Sequence, residues 1–192
     1  LGDYNMGMEK SWVIPVVPKY KITNDAQQHR DRASLVGIDF VTFSGNFDLL
    51  SVSTGIIEYT YTQYNPEHAY DGNYYDSLGK VIVIKYYAGA IPVWFRYCHN
   101  EEIGVVPFQT VGAGEVIGKY GGTGMVFPVG NGNHVHMDAW CNPEDANEAA
   151  KIGLIPQIIT APERWPGGHT VTNVDYTQFF MNMGLDVINS SR

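Results

Sequence analysis

The sequence predicts a mainly β protein, mostly antiparallel, that ends in a short helical C-terminal extension. Three observations predict it. Short runs of β-branched and aromatic residues recur along the chain, each closed by Gly, Pro, Asn or Asp. The 13 tyrosines and 21 glycines suit strands and turns better than helices. Helical signals are sparse and concentrate after Asn142. The 192 residues suffice for one domain with a real core, and 44% hydrophobic against 17% charged residues makes that domain globular rather than disordered.

The elements follow in order. "SWVIPVVPKY" (Ser11–Tyr20) is apolar but broken by Pro15 and Pro18, so it reads as an extended edge or lead-in strand. "SLVGIDFVTF" (Ser34–Phe43) reads as a buried strand. "LLSVSTGIIEYTYTQY" (Leu49–Tyr64) is long and β-branched, with Gly55 as a turn or bulge. "NPEHAYDGNYYDSLG" (Asn65–Gly79) is a polar, turn-rich loop. "KVIVIKYYAGAIPVWFRYC" (Lys80–Cys98) reads as two strands bent at "AGAIP". "VVPFQTVGAGEVIGKYGGTG" (Val105–Gly124) is punctuated by Gly around a short strand, "EVIGKY". "NPEDANEAAKIG" has early acids, Ala-rich spacing and a terminal Gly, which predicts a short helix. "TNVDYTQFFMNMGL" predicts another, stopped at Gly184. The expected division is an N-terminal extended segment packing on the core (1–33), a β-core (34–141) and the helical extension (142–192), all within one compact domain.

The net charge of -8 argues against a nucleic-acid partner, whose footprint would be a basic patch. No apolar run approaches the ~20 residues of a membrane-spanning helix. The chain starts at Leu1 rather than Met, so it reads as a mature or excised piece. Its two cysteines, Cys98 and Cys141, form no CxxC, which excludes a zinc ribbon or thioredoxin-type motif. They are either one disulfide or two buried thiols.

Three strand motifs carry candidate chemistry. In "NGNHVHMDAW", period-two alternation points His134, His136 and Asp138 one way and Val135, Met137 and Ala139 the other. In "VGIDF", Asp39 sits in an apolar run and needs a partner, because an unpaired buried carboxylate is costly. In "FRYCHNEE", His99 ends an aromatic strand before an acidic turn. Taken singly, these are a solvated strand face, a hydrogen-bonded Asp and a strand-end His.

Taken together and in order, "VGIDF", "VSTGIIEY", "KVIVIKYYAG", "FRYCHNEE", "VGAGEVIGKYGGTG" and "GNHVHMDAW" resemble the lysostaphin-type (LytM-like) zinc endopeptidases, which cut peptides of bacterial cell walls. The resemblance runs from Ser34 to Trp140 and is most specific in its C-terminal half, a Gly-rich turn followed by HxH. It implies a small antiparallel β-sandwich with a metal at the floor of a groove. It also implies zinc held by the Asp of an HxxxD motif, matched by Asp39, and by the second His of HxH, matched by His136. His134 and His99 match the two histidines that act beside the metal. Zinc takes imidazole and carboxylate ligands and keeps one position open in catalytic sites. Uncharged imidazoles beside it can move protons. Asp138 would orient a ligand from behind.

One position departs from the pattern. Where the family has its first His, four residues before Asp39, this chain has Leu35, which cannot bind zinc. Three accounts stay open. His29 in "AQQHRDRAS" loops back as the third ligand, with Asp31 also able to enter by such a turn. His134 is drawn in as a ligand. Or the site is dead and the fold serves binding. "GGTG" lacks the Lys and helix start of a phosphate loop and reads as a turn. His68 and His169 fall in polar loops and read as solvated, and the tyrosines from Tyr59 to Tyr87 as amphipathic β-residues or groove lining.

The expected function is therefore a zinc-dependent peptidoglycan endopeptidase, impaired if Leu35 costs it a ligand. The alternatives are a metal-free pseudopeptidase that binds wall peptide, or a structural or regulatory module, for example in a phage tail. All three place the protein outside the cell, at the cell envelope, or in a virion or secreted assembly.

Overall fold

The structure is a computed structural model that describes residues 12–17, 19–31, 36–43, 45–63, 78–124, 133–157, 163–164 and 170–188. Among these, the chain runs β1 (Tyr20–Asn24), α1 (Ala26–Asp31), β2 (Gly37–Thr42), β3 (Asp48–Leu50), β4 (Gly55–Gln63), β5 (Gly79–Ala88), β6 (Ile91–Ile103), β7 (Thr110–Val111), β8 (Val116–Tyr120) and β9 (Val135–Cys141). It then continues through α2 (Ala146–Lys151), β10 (Ile155–Pro156), β11 (Glu163–Arg164), β12 (Thr170–Asp175) and α3 (Thr177–Asn182). The strands pair antiparallel in the order β1-β2-β9-β6-β5-β4-β7. The protein is thus mainly antiparallel β with a short C-terminal helix.

The centre is the β5–β6 hairpin. Ala88 and Ile91 close it over a two-residue turn in which Gly89 takes a φ of 65°, a conformation glycine enters at little cost. Long β6 then serves two neighbours. Its first half pairs β9, from Val93 opposite Cys141 to Cys98 opposite His136. Its far end pairs β8, which in turn pairs β3.

Alternation sorts the side chains into two faces. Ile38, Phe40, Ile82, Ile84, Val93, Phe95, Val135 and Met137 enter the main core, where Leu49, Ile117, Phe179 and Phe180 join them. Val81, Val83, Trp94, Cys98, Trp140 and Val171 form a smaller cluster on the opposite face. The candidate site lies on that second face. Cys98 and Cys141 are free thiols whose side chains belong to different clusters, so the sheet itself separates them.

Several local expectations change. Of the described residues in the segment expected as a strand over Ser11–Tyr20, 12–17 form no ladder and only Tyr20 enters one, as the start of β1. Two backbone bonds tie residues 12–17 in, from Val13 N–H to Val52 O and from Leu50 N–H to Pro15 O, and buried Trp12 anchors them edge-on to Phe179 at 4.9 Å. The N-terminal stretch is not extended throughout, because it contains α1. The helix expected over "TNVDYTQFFMNMGL" begins only at Thr177. Its first residues lie in β12, where Thr172 stands opposite Cys141 and extends the sheet. The C-terminal stretch therefore adds strands as well as helices. A helix as short as α3 has little stability alone, and burial of Phe179 and Phe180 holds it. His68, His169 and Leu35 lie outside the described residues.

Candidate metal centre

Strand register builds the floor of the site. Asp39 on β2 stands opposite His136 on β9, which stands opposite Cys98 on β6. The next row on the same face is Gly37, Asp138 and Arg96. Gly37 is spatially required. A Cβ there would lie 2.6 Å from His136 Cε1 and 2.7 Å from Nε2, so only glycine leaves the imidazole its place.

His29 arrives from outside the sheet. The segment "NDAQQHRD" caps α1 reciprocally. Asp25 Oδ1 accepts the backbone N–H groups of Gln27 and Gln28, each at 3.1 Å, and Gln28 Oε1 accepts Asp25 N–H at 2.9 Å. The turn delivers His29 Nε2 to 3.3 Å from Asp39 Oδ1. His136 Nδ1 lies 2.8 Å from the same oxygen and His134 Nε2 3.7 Å from it. Asp39 Oδ2 is held separately by Asn24 Nδ2 at 2.6 Å. One carboxylate oxygen is tied down by an amide, and the other faces three imidazoles.

A bulge aims His99. Lys80 stands opposite Asn100 and Ile82 opposite Tyr97, so β6 carries an extra residue there. Plain alternation would send His99 to the core face with Tyr97. With a φ of 63°, His99 instead brings its ring to 4.9 Å from that of His134 and 6.3 Å from that of His136. The glycine turn ties the two outer histidines together. Gly121 N–H donates to His99 O, and Gly121 O accepts His134 N–H. His99 Nδ1 lies 3.0 Å from Thr123 O. A carbonyl only accepts, so Nδ1 carries the proton and Nε2 keeps its lone pair.

Electrostatics follow from burial and neighbours. Burial pushes the Asp39 carboxyl up, but hydrogen bonds from His136 and His29 and the charge of the His136 and His134 rings outweigh it and hold the group well below its ordinary value. Burial works against charge on His136, yet hydrogen bonds to Asp138 and Asp39 and their charges lift it to about 9. Burial, helped by the neighbouring rings of His134 and His136, pushes His99 down to about 3 and keeps it neutral. Burial raises Asp138, but the Arg96 guanidinium leads the groups that hold it down to about 2.

The donor set fits a zinc ion. His29, Asp39 and His136 are all buried, and their ligand atoms lie within 4.8 Å of one another. Two imidazoles and a carboxylate make a set of three, the number a catalytic zinc uses. Arg96 balances one of the two carboxylates, Asp39 and Asp138, and the positive charge that His136 carries against the other is one that a bound cation can replace.

The sequence-derived candidates Asp39, His99, His134, His136, Asp138 and His29 therefore meet in one place. Asp31 does not join them: it is exposed and accepts Gln27 Nε2 at 2.6 Å. The position of Leu35 relative to this group is outside the described residues, and β2 begins at Gly37. Sequence reading missed Asn24, Arg96 and Trp140. For Arg96 a signal existed, since it alternates with Trp94 and Cys98 on one face of "VWFRYC".

A family model described as peptidase family M23 matches residues 34–148. No curated protein matches. Among solved structures, the chain is similar to a zinc containing peptidase from Vibrio cholerae, with 24% identity over 67% of this chain and 36% of that one and a TM-score of 0.46. It is similar to the catalytic domain of lysostaphin from Staphylococcus simulans, with 21% identity over 54% of this chain and 64% of that one and a TM-score of 0.39. A chain from the SpoIIIAH and SpoIIQ complex shares 22% identity over 67% of this chain and 90% of that one, with a TM-score of 0.47. The match thus spans about a third of the Vibrio cholerae chain.

Proposed function

The chain belongs to peptidase family M23, and from that premise we propose that it is a zinc-dependent endopeptidase of bacterial cell-wall peptide. The observation that carries the proposal is the buried group of His29, Asp39 and His136, with the rings of His134 and His99 beside it. His29 stands in for the ligand that Leu35 does not supply. Its position also argues against a dead site.

His29, Asp39 and His136 would hold the zinc, which when bound would supply Lewis acidity. The remaining work falls to the chain. Asn24 orients Asp39 by holding Oδ2, so that Oδ1 faces the cation site. Asp138 faces the far nitrogen of His136 at 3.5 Å. Neutral His99, with its Nδ1 proton committed to Thr123 O, offers the Nε2 lone pair as a hydrogen-bond acceptor that orients an O–H, such as that of the attacking water. His134 stands between His99 and Asp39 and completes the proton route to the leaving amine. Because the substrate is wall peptide, the protein works at the cell envelope, outside the cell, or in a virion or secreted assembly that meets the wall.

The test pairs zinc content with turbidity loss of purified cell walls. Wild type should carry near-stoichiometric zinc and clear the suspension. His99→Ala and His134→Ala should keep zinc and lose ~10²-fold or more in rate, the range for removing a general acid or base. Asp39→Ala and His136→Ala should lose zinc and activity together. A wild-type protein with neither zinc nor activity, but retained on purified peptidoglycan, would be a wall-binding pseudopeptidase. One that is not retained would be a structural or regulatory module.

A further inference from the structure

Arg96 belongs to neither the metal set nor the proton route, yet it is buried beside both, with 3% of its surface exposed. A buried guanidinium is costly unless its donors are matched. Its partner is Asp138, directly opposite on β9. Arg96 Nε lies 3.1 Å from each Asp138 oxygen, and Nη2 donates to Oδ2 at 2.8 Å. The guanidinium lies over the Trp140 ring, 5.0 Å from its centroid, and Trp140 Nε1–H donates to Asp138 Oδ1. Both oxygens are therefore fixed, and the carboxylate cannot rotate without breaking several bonds at once.

That grip reaches the metal centre through one contact. Asp138 Oδ2 faces His136 Nε2 at 3.5 Å, while His136 Nδ1 faces Asp39 at 2.8 Å. Both carboxylates only accept, so the ring offers a proton to each; a metal entering beside Asp39 displaces the proton on Nδ1, and a fixed Asp138 keeps the other on Nε2, which makes Nδ1 the ligating nitrogen. We propose that Arg96, with Trp140 completing the grip, is a positioning residue that fixes the orientation of Asp138 and thereby commits His136 to ligate metal through Nδ1. The proposal rests on the reading of His136 as a ligand. Charge alone does not suffice, because lysine is a point charge without the planar fork that locks a carboxylate.

The probe is ¹¹³Cd, a group 12 stand-in for zinc, bound to protein labelled with ¹⁵N-histidine. Coupling between cadmium and nitrogen reports which ring atom ligates. Zinc affinity is measured alongside by competition with a chelator. Wild type should show coupling at Nδ1 of His136. Arg96→Lys keeps the charge but should weaken zinc binding at least ~10-fold, the lower end for loss of an outer-shell partner, and should split or move the Nδ1 coupling. Trp140→Phe keeps the ring and the ion pair, so it carries the test if Arg96→Lys does not fold, and should shift both readouts in the same direction by less. Wild-type coupling and affinity in the folded variants would overturn the role of Arg96 and leave the zinc site intact. A wild type that binds neither metal would overturn both readings.

Discussion

Asp39 shows how one residue can be shared between folding and function. Its two oxygens are divided, Oδ2 to Asn24 and Oδ1 to the imidazoles, so the side chain is held before any ligand arrives. Such preorganisation depends on neighbours that leave room. Gly37 is the most demanding of these, because the missing Cβ is the space that the His136 ring occupies, and Met137 O lies 2.8 Å from the same point. Gly37→Ala should therefore displace His136 rather than merely stiffen the strand. Overpacking of this kind costs about 1–3 kcal/mol, and the metal site should bear most of it. The expected result is a folded protein with a lower melting temperature and little bound zinc, read by calorimetry and metal analysis. Full zinc occupancy in that variant would mean that His136 does not need its observed place.

At the scale of elements, α1 is six residues long and would not persist alone. Its cap holds the turn that brings His29 to Asp39, so under the proposed function the cap serves the site. Asp25→Ala removes the acceptor of two backbone N–H groups, a change worth about 1 kcal/mol. Because α1 is peripheral to the core, that loss should fall on the site. Zinc affinity should drop about fivefold while the melting temperature of the metal-free protein moves little, as titration and thermal unfolding can show. An equal drop in affinity and metal-free stability would make α1 part of the core. This element also marks where sequence reading stopped. Strands β2, β5, β6 and β9 were legible because alternation is local, and with it the shared face of His134, His136 and Asp138. Short α1 offers no apolar period. Only the reciprocal pair Asp25 and Gln28 signalled it, inside a segment expected to be extended. The bulge that turns His99 was invisible for another reason: plain alternation places that residue on the core face. Arg96 was unreadable as a partner of Asp138 because cross-strand register depends on turns far away in sequence. The final helix starts later than its sequence suggests because "TNVD" fits a cap as well as it fits β12.

Across the whole molecule, the candidate metal centre joins parts that the chain alone leaves far apart. His29 comes from α1, Asp39 from β2 and His136 from β9, about a hundred residues further on. Holding such distant ligands together has an entropic cost in the unfolded chain, where no preformed site exists. Zinc should therefore bind the native state far better than the unfolded one, and must then stabilise the whole fold. At a free zinc concentration of ~100 Kd the stabilisation is about 2.7 kcal/mol. For a chain of this size each kcal/mol moves the melting temperature by about 2–4 °C. Zinc-loaded protein should thus melt roughly 5–11 °C above the same protein in chelator. His29→Ala should shrink that gap sharply at the same zinc concentration, because it removes a ligand without touching the core that β2, β6 and β9 share. The metal-free melting temperature of the variant serves as the control. A gap preserved in His29→Ala but abolished in His134→Ala would transfer the third ligand from α1 to the strand that carries both histidines. The family's ligand set would then have been repaired within the sheet rather than from the N-terminal turn.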